Sequence, residues 1–201
     1  MEILIVSKTH MANNACVGGI VLLTNESIRL LNPGNQNQPT DTDFEIGEVW
    51  DIRFIHRNPV IPPHNEDVII LEKKYVRKEQ NLTTIIKDRG LINCQGSIEN
   101  LYDGLLNWTH NGSGYITPNG NLPQRSTLFW LSDRNLECYE SFNKNRYRYP
   151  NEGTNRNFSF VGYQNIVEVI PAGTIIRVSL TRPFVANGVE GLWAQLSGWY
   201  L

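Results

Sequence analysis

Gly47-Glu-Val-Trp-Asp-Ile-Arg-Phe54 returns 126 residues later as Gly173-Thr-Ile-Ile-Arg-Val-Ser-Leu180. In both copies a glycine precedes apolar residues two and three places on. Alternation then continues through Ile52 and Phe54 in the first copy and Val178 and Leu180 in the second. A period of two marks a half-buried strand, and the leading glycine marks a turn. Each copy keeps the same company in the same order. Ile3-Leu-Ile-Val-Ser-Lys8 resembles Leu128-Phe-Trp-Leu-Ser-Asp133, and Asp67-Val-Ile-Ile-Leu71 resembles Leu192-Trp-Ala-Gln-Leu196, both offset by 125. Strand, irregular loop, second strand, glycine turn, third strand and return strand, repeated at this spacing, predict two small β-barrels in tandem.

A chain of 201 residues can build one large core or two small ones. Its 40% hydrophobic content is that of an ordinary globular protein. No apolar run approaches the roughly 18–20 residues of a membrane span, so no membrane partner is expected. Met1-Glu-Ile-Leu-Ile-Val6 lacks the basic start and the length of a signal peptide and reads as a first strand. Cys16, Cys94 and Cys138 are odd in number, far apart and without metal-ligand spacing, which suits small buried side chains in a reducing cytoplasm. The net charge is −2: residues 1–122 carry 10 basic and 14 acidic side chains, and residues 123–201 carry 8 and 6. A clamp for duplex DNA that ignores sequence would be far more basic. A local groove for a single strand or a nucleotide remains compatible with this balance.

Along the chain, strands are expected at 2–7, 20–23, 27–31, 48–55 and 67–71. Pro59, Pro62 and Pro63 force a loop between the last two. Residues 72–108 read as the one helical region, with the insert proper at 79–108. Leu82, Ile85 and Ile86 recur at helical spacing, as do Ile98, Leu101, Leu105 and Leu106, with Ser97 as a cap and Gly90 as a separator. The Gly/Pro/Asn-rich stretch 111–123 marks the boundary, giving a first barrel with its helical connector at 1–110 and a second at 111–201. Strands then return at 127–131, 147–149, 158–163, 174–180 and 192–196.

Several motifs in order resemble the dual-OB domain family of prokaryotes. They are Ile3-Leu-Ile-Val-Ser-Lys-Thr9, Cys16-Val-Gly-Gly-Ile20, Ser27-Ile-Arg-Leu-Leu31, Phe44-Glu-Ile-Gly-Glu-Val-Trp50, Pro62-Pro-His-Asn-Glu-Asp67 and Phe129-Trp-Leu-Ser-Asp-Arg-Asn135. Arg177-Val-Ser-Leu180 followed by Gln195-Leu-Ser-Gly-Trp-Tyr200 is the most specific of them. Thr181-Arg-Pro-Phe184 departs from the pattern, which is richer in aromatics there. The resemblance implies a mainly β protein of two tandem OB-like β-barrels with a short helical connector. It also implies a setting in prokaryotic conflict or antiviral defence, with sensing of nucleic acid or nucleotides. The family supplies no catalytic residues to carry over, and no cofactor is implied.

The strongest binding candidate is Phe142-Asn-Lys-Asn-Arg-Tyr-Arg-Tyr149. In a strand, Lys144, Arg146 and Arg148 share one face, where they can track phosphates, while Tyr147 and Tyr149 take the other. Arg156 and Phe158 follow closely, and Glu152 is the only acid between Lys144 and Tyr163. The set Lys144, Arg146, Tyr147, Arg148, Arg156 and Phe158 is therefore the expected nucleic-acid contact, with aromatics stacking on bases. The competing reading makes the tyrosines core and the cations a solvated face. Trp130, Trp193, Trp199 and Trp50 sit in apolar strands and are expected inside. Lys73-Lys-Tyr-Val-Arg-Lys78 is bracketed by Glu72 and Glu79 and reads as a solvated helix or turn face. His10, His56, His64 and His110 have no zinc spacing, and no phosphate loop or nucleophile elbow appears.

The sequence thus points to a non-enzymatic recognition module for single-stranded nucleic acid or a nucleotide. Two alternatives stand beside it. One is a protein–protein adaptor that positions a separate effector encoded nearby, with the acidic first half and the Pro59–Pro63 loop as its surfaces. The other is a small hydrolase or nuclease using His64, Glu66 or Asp67.

Overall fold

The computed structural model describes residues 1–151, 153, 155–186 and 188–201, so Glu152 lies outside the described residues. The chain forms two compact units, Met1–Leu91 and Ile92–Leu201.

In the first unit the strands are β1 (Glu2–Met11), β2 (Asn14–Val21), β3 (Ser27–Leu31), β4 (Gln38–Pro39), β5 (Glu48–His56) and β6 (Asp67–Lys78). They run β1-β5-β6-β3-β2, and β2 pairs back onto β1, so five strands close into a barrel with β4 as a short flank. All ring pairings are antiparallel except β3 with β6. This is the ring order of an OB barrel. Alternate residues of each strand face inward. Ile3, Ile5, Val17, Ile28, Leu30, Phe44, Ile52 and Val68 are wholly buried in one core.

The second unit contains β7 (Ile92–Gly96), β8 (Asn107–Trp108), β9 (Gly114–Ile116), β10 (Thr127–Ser132), β11 (Leu136–Ser141), β12 (Lys144–Tyr149), β13 (Arg156–Phe160), β14 (Val169–Ile170), β15 (Ile175–Leu180), β16 (Phe184–Ala186) and β17 (Val189–Tyr200). Its path β11-β12-β13-β17-β15-β10 repeats the first ring, with β10 and β11 together standing where β1 stands. β10 pairs with β15 as the start of β1 pairs with β5. β11 pairs with β12 as the rest of β1 pairs with β2, and the parallel pair β13–β17 matches β3–β6. Trp130, Tyr147, Tyr149, Phe158, Ile176 and Leu196 fill the core. The four tryptophans expected inside are buried.

The sequence echo therefore falls on equivalent places, with Gly47 and Gly173 leading β5 and β15. Both glycines are left-handed, at φ +91° and +80°. The Gly47 N–H donates to the Ile5 carbonyl at 2.9 Å, and the Gly173 N–H donates to the Ser132 carbonyl at 2.7 Å. Each turn thus docks the fourth ring strand onto the bend of the first.

The helical reading of 72–108 is corrected. Residues 72–78 continue β6, so the basic run there is strand and not a helix or turn face. The one α-helix among the described residues is α1 (Leu82–Asp88), capped by Asn81 and burying only Ile86. Ile92–Gly96 is a strand parallel to β10, which places it in the second unit, ahead of the loop at 111–123. Ile98–Gly104 is a 3-10 segment. Ser97 caps it as expected, but Leu101 is extended and Tyr102 and Asp103 are left-handed. Ile98, Leu101 and Leu106 still reach the core, through an irregular path that periodicity alone reads as a helix.

Gly173→Ala meets no atom within 4 Å, whereas a β-carbon on Gly47 would lie 3.0 Å from the Glu79 carbonyl oxygen. Chemical denaturation should therefore show Gly173→Ala costing about 1–2 kcal/mol from backbone strain alone, and Gly47→Ala costing more.

Candidate nucleic-acid interface

β11 and β12 form a hairpin whose two turn residues, Phe142 and Asn143, are both left-handed, the twist that suits a tight hairpin. Register fixes what each face carries. Glu137 lies opposite Arg148, Tyr139 opposite Arg146 and Ser141 opposite Lys144, and across the next ladder Arg146 meets Ser159 and Arg148 meets Asn157. Lys144, Arg146 and Arg148 do share the outward face. The inward face carries Cys138, Tyr147, Tyr149 and Phe158.

Tyr147 and Phe158, expected as stacking residues, are corrected to core: neither ring has any exposed surface. The Tyr147 hydroxyl donates to the Val167 carbonyl at 2.8 Å, and burial pushes its pKa up to about 12. Phe158 packs edge-on against Trp108 and Trp130. Alternation separates the two faces but does not say which one the barrel closes over.

The cations divide further. Lys144 is exposed and makes no ion pair among the described residues. Arg148 has a side chain 43% exposed, pairs with Glu137 at 2.8 Å, and holds its guanidinium 5.9 Å from the Tyr139 ring centre. Arg146 is committed to structure. Its Nη2 donates to Ser113 Oγ at 2.8 Å, and both Nε and Nη2 donate to Asn157 Oδ1. Asn157 in turn donates to the Asn111 carbonyl through its side chain (2.6 Å) and to the Gly112 carbonyl through its backbone (2.8 Å). Loop 109–114 is thereby pinned to β12 and β13. Gly112 is left-handed there, and a β-carbon on it would overlap the Asn155 carbonyl. Arg156 lies on the core-side face, level with Tyr149. It pairs with Glu99 at 3.0 Å and lies 4.7 Å from the Trp108 ring centre, while Trp108 Nε1 donates to the same Glu99 at 3.1 Å. Of the six expected contact residues, Lys144 and Arg148 remain open to a ligand. Tyr139, beside Arg148, joins them. Phe142, at the turn and 97% exposed, belonged to the quoted motif but not to the expected set. Its signal was an aromatic inside a two-residue turn.

Elsewhere many charges are paired, though the exposed Lys74, Lys78, Lys87 and Arg125, like Lys144, make no ion pair among the described residues. Lys73 pairs with Asp43 and sits 4.3 Å from the Phe44 ring centre, Arg77 pairs with Glu2 and Glu79, and Arg53 with Glu72. Asp67, nearly fully buried, is gripped by Arg29 and Arg57, and His64 is 2% exposed. This is an ion cluster at the start of β6, whose carboxylate is already engaged by two guanidinium groups. Among the described residues no three His, Cys, Asp or Glu side chains converge as a metal site. All three cysteines are free. Burial, with a smaller contribution from Asp103, pushes the Cys94 thiol from 9.0 to about 11, so it is a weak nucleophile near neutral pH.

Arg146→Ala strands the buried Asn157 side chain and should lower stability by about 1–3 kcal/mol. The exposed Lys144→Ala should stay within about 0.5 kcal/mol of the parent. Thermal melts of the two variants check this. The Cys94 thiol holds its proton more tightly folded than unfolded. Its contribution to stability is therefore complete below about pH 9 and is lost as pH rises towards 11. Denaturation across that window should show a shallower decline for Cys94→Ala than for the parent.

The dual OB-containing domain model matches residues 1–199. No curated protein sequence matches the chain. Among the solved structures similar to it are two at 9% identity. A murine DNA binding protein bound with ds DNA has a TM-score of 0.34 and coverage of 98% of this chain and 91% of that one. An Ifi202 HINa domain in complex with 20bp dsDNA has a TM-score of 0.37 and coverage of 98% and 89%. With an OB ring order in each unit and a match over nearly every residue, the chain belongs to the dual OB-containing domain family.

Proposed function

We propose that this chain is a non-enzymatic recognition module that binds single-stranded nucleic acid, or a nucleotide, on the outward face of β11 and β12. One observation carries the reading. Lys144, Arg148 and Tyr139 stand together on that face while the tyrosines of β12 are turned into the core. An exposed ammonium and a half-exposed guanidinium can neutralise phosphates, and a tyrosine ring beside the guanidinium offers planes on which a base can stack. The Arg148–Glu137 pair is solvent-facing and worth at most about 1 kcal/mol, so a phosphate can displace the carboxylate at little cost. The net charge of −2 fits a short local footprint. The family resemblance supports a setting in prokaryotic defence, in the cytoplasm, with a separate effector encoded nearby.

Fluorescence anisotropy of labelled single-stranded DNA and RNA across a salt series tests this. Two phosphate contacts predict a slope of log K against log salt near −1.4 for a single strand. The double variant Lys144→Ala/Arg148→Ala should abolish most of that slope with an unchanged melting temperature. Absence of binding at low salt to either polymer and to duplex DNA would overturn the reading. It would favour the adaptor, for which the Pro59–Pro63 loop exposes Val60 and Ile61.

A further inference from the structure

Phe142 sits at the tip of the β11–β12 hairpin, 97% exposed, with φ +52°. Both properties work against folding. A phenyl ring in water forgoes burial, and the left-handed region is strained for a bulky side chain, which is why glycine and asparagine dominate such turns. Among the described residues no ring or cation packs against Phe142 to offset these costs. The first unit provides an internal comparison. The corresponding hairpin, β1–β2, is joined by Ala12-Asn13 in the same register, Met11 opposite Asn14 as Ser141 is opposite Lys144; Ala12 has φ +50°, close to Phe142, although Asn13, unlike Asn143, is not left-handed. A left-handed first turn position in this register therefore does not require an aromatic. Beyond the barrel core the second hairpin also exposes Glu140, Asn143, Lys144 and Asn145, so its tip projects into solvent. Glu140 and Asn145 oppose each other on the face away from Lys144, which keeps that carboxylate off the cationic side.

We propose that Phe142 is a stacking wedge for an unpaired base and that the ligand is an oligonucleotide rather than a mononucleotide. This rests on the nucleic-acid reading above. Lys144 and Arg148 are four residues apart, about 13 Å along a strand. A chain of a few nucleotides presents separate phosphates at that spacing and can engage both side chains extended, whereas one phosphate end can do so only by drawing both side chains together. Lys144 then holds a phosphate one side of the turn from the ring that receives the neighbouring base. Tyr139 with Arg148 receives a base further along the hairpin.

The test uses the full chain with fluorescein-labelled dT12 and with the same strand carrying one 2-aminopurine. Phe142→Ala puts at the first turn position the residue that Ala12 already supplies in the β1–β2 hairpin at nearly the same φ, so it should fold with an unchanged melting temperature. It should weaken dT12 binding by about 5- to 100-fold and leave the salt slope as it was, because no charge is removed. Phe142→Trp should bind at least as tightly as the parent. Quenching of 2-aminopurine by the parent should be lost in Phe142→Ala. Parent-like affinity and quenching in Phe142→Ala would overturn the wedge while leaving the cationic face intact. Equal binding of parent to dT12 and to a duplex of that length would overturn the need for an unpaired base. A parent that binds no oligonucleotide at all would overturn both this and the reading it rests on. Mononucleotide competing as well as dT12 would overturn the oligonucleotide assignment.

Discussion

A five-strand ring closes only if its first strand pairs with two neighbours that lie on opposite sides, and closure forces strands to tilt and bend. The first unit closes by pairing at this strand, and the second carries it as two strands, β10 and β11, joined by the chain. In the first, β1 shifts register between Ile5 and Ser7 and continues unbroken from β5 to β2. In the second, the strand breaks outright after Ser132 and resumes at Leu136. A left-handed glycine donates its N–H to the carbonyl at each bend. The fourth ring strand is anchored to the bend in this way, and everything built on the ring inherits its position from that contact. The β11–β12 hairpin is the part of the second ring beyond the break. Its outward face and projecting tip exist because the strand turns there.

The distribution of charge follows from what the rings must hold down. Arg146 and Asn157 fasten loop 109–114 to β12 and β13, and Arg156 with Glu99 braces the Trp108 ring. In the first unit Arg29 and Arg57 hold Asp67 at the start of β6. These partly buried pairs are costly to break on one side because the remaining group is left desolvated. The surface pairs of β5 and β6 contribute little each. A basic residue near the candidate face is therefore not automatically a ligand contact. Its availability depends on whether a loop has claimed it.

The two barrels were legible because alternation, a leading glycine and a fixed order recur together at one offset, and each reports backbone geometry directly. The separation of Lys144, Arg146 and Arg148 from Tyr147 and Tyr149 was legible for the same reason. The structural duty of Arg146 was not, since Ser113 lies 33 residues upstream and has no local signature. Arg156 likewise depends on Glu99, 57 residues away. The stretch 92–106 is not legible locally, because its apolar spacing matches a helix while pairing of Ile92–Gly96 with β10 supplies backbone hydrogen bonds that local propensity cannot anticipate. Phe142 carried a signal in plain sight, an aromatic where turn chemistry favours asparagine or glycine. Its meaning needed the comparison with Ala12.

The closing strands also set an order in time. The first ring is complete once β6 has been made, at Lys78, whereas the second waits for β17, which ends at Tyr200 and fills the gap between β13 and β15. As synthesis proceeds from the N-terminus, the first barrel can therefore form while the second still has two unpaired sheet edges. Those edges are competent to pair with other chains. In that interval the second unit presents both edges, and pairing of β17 covers them.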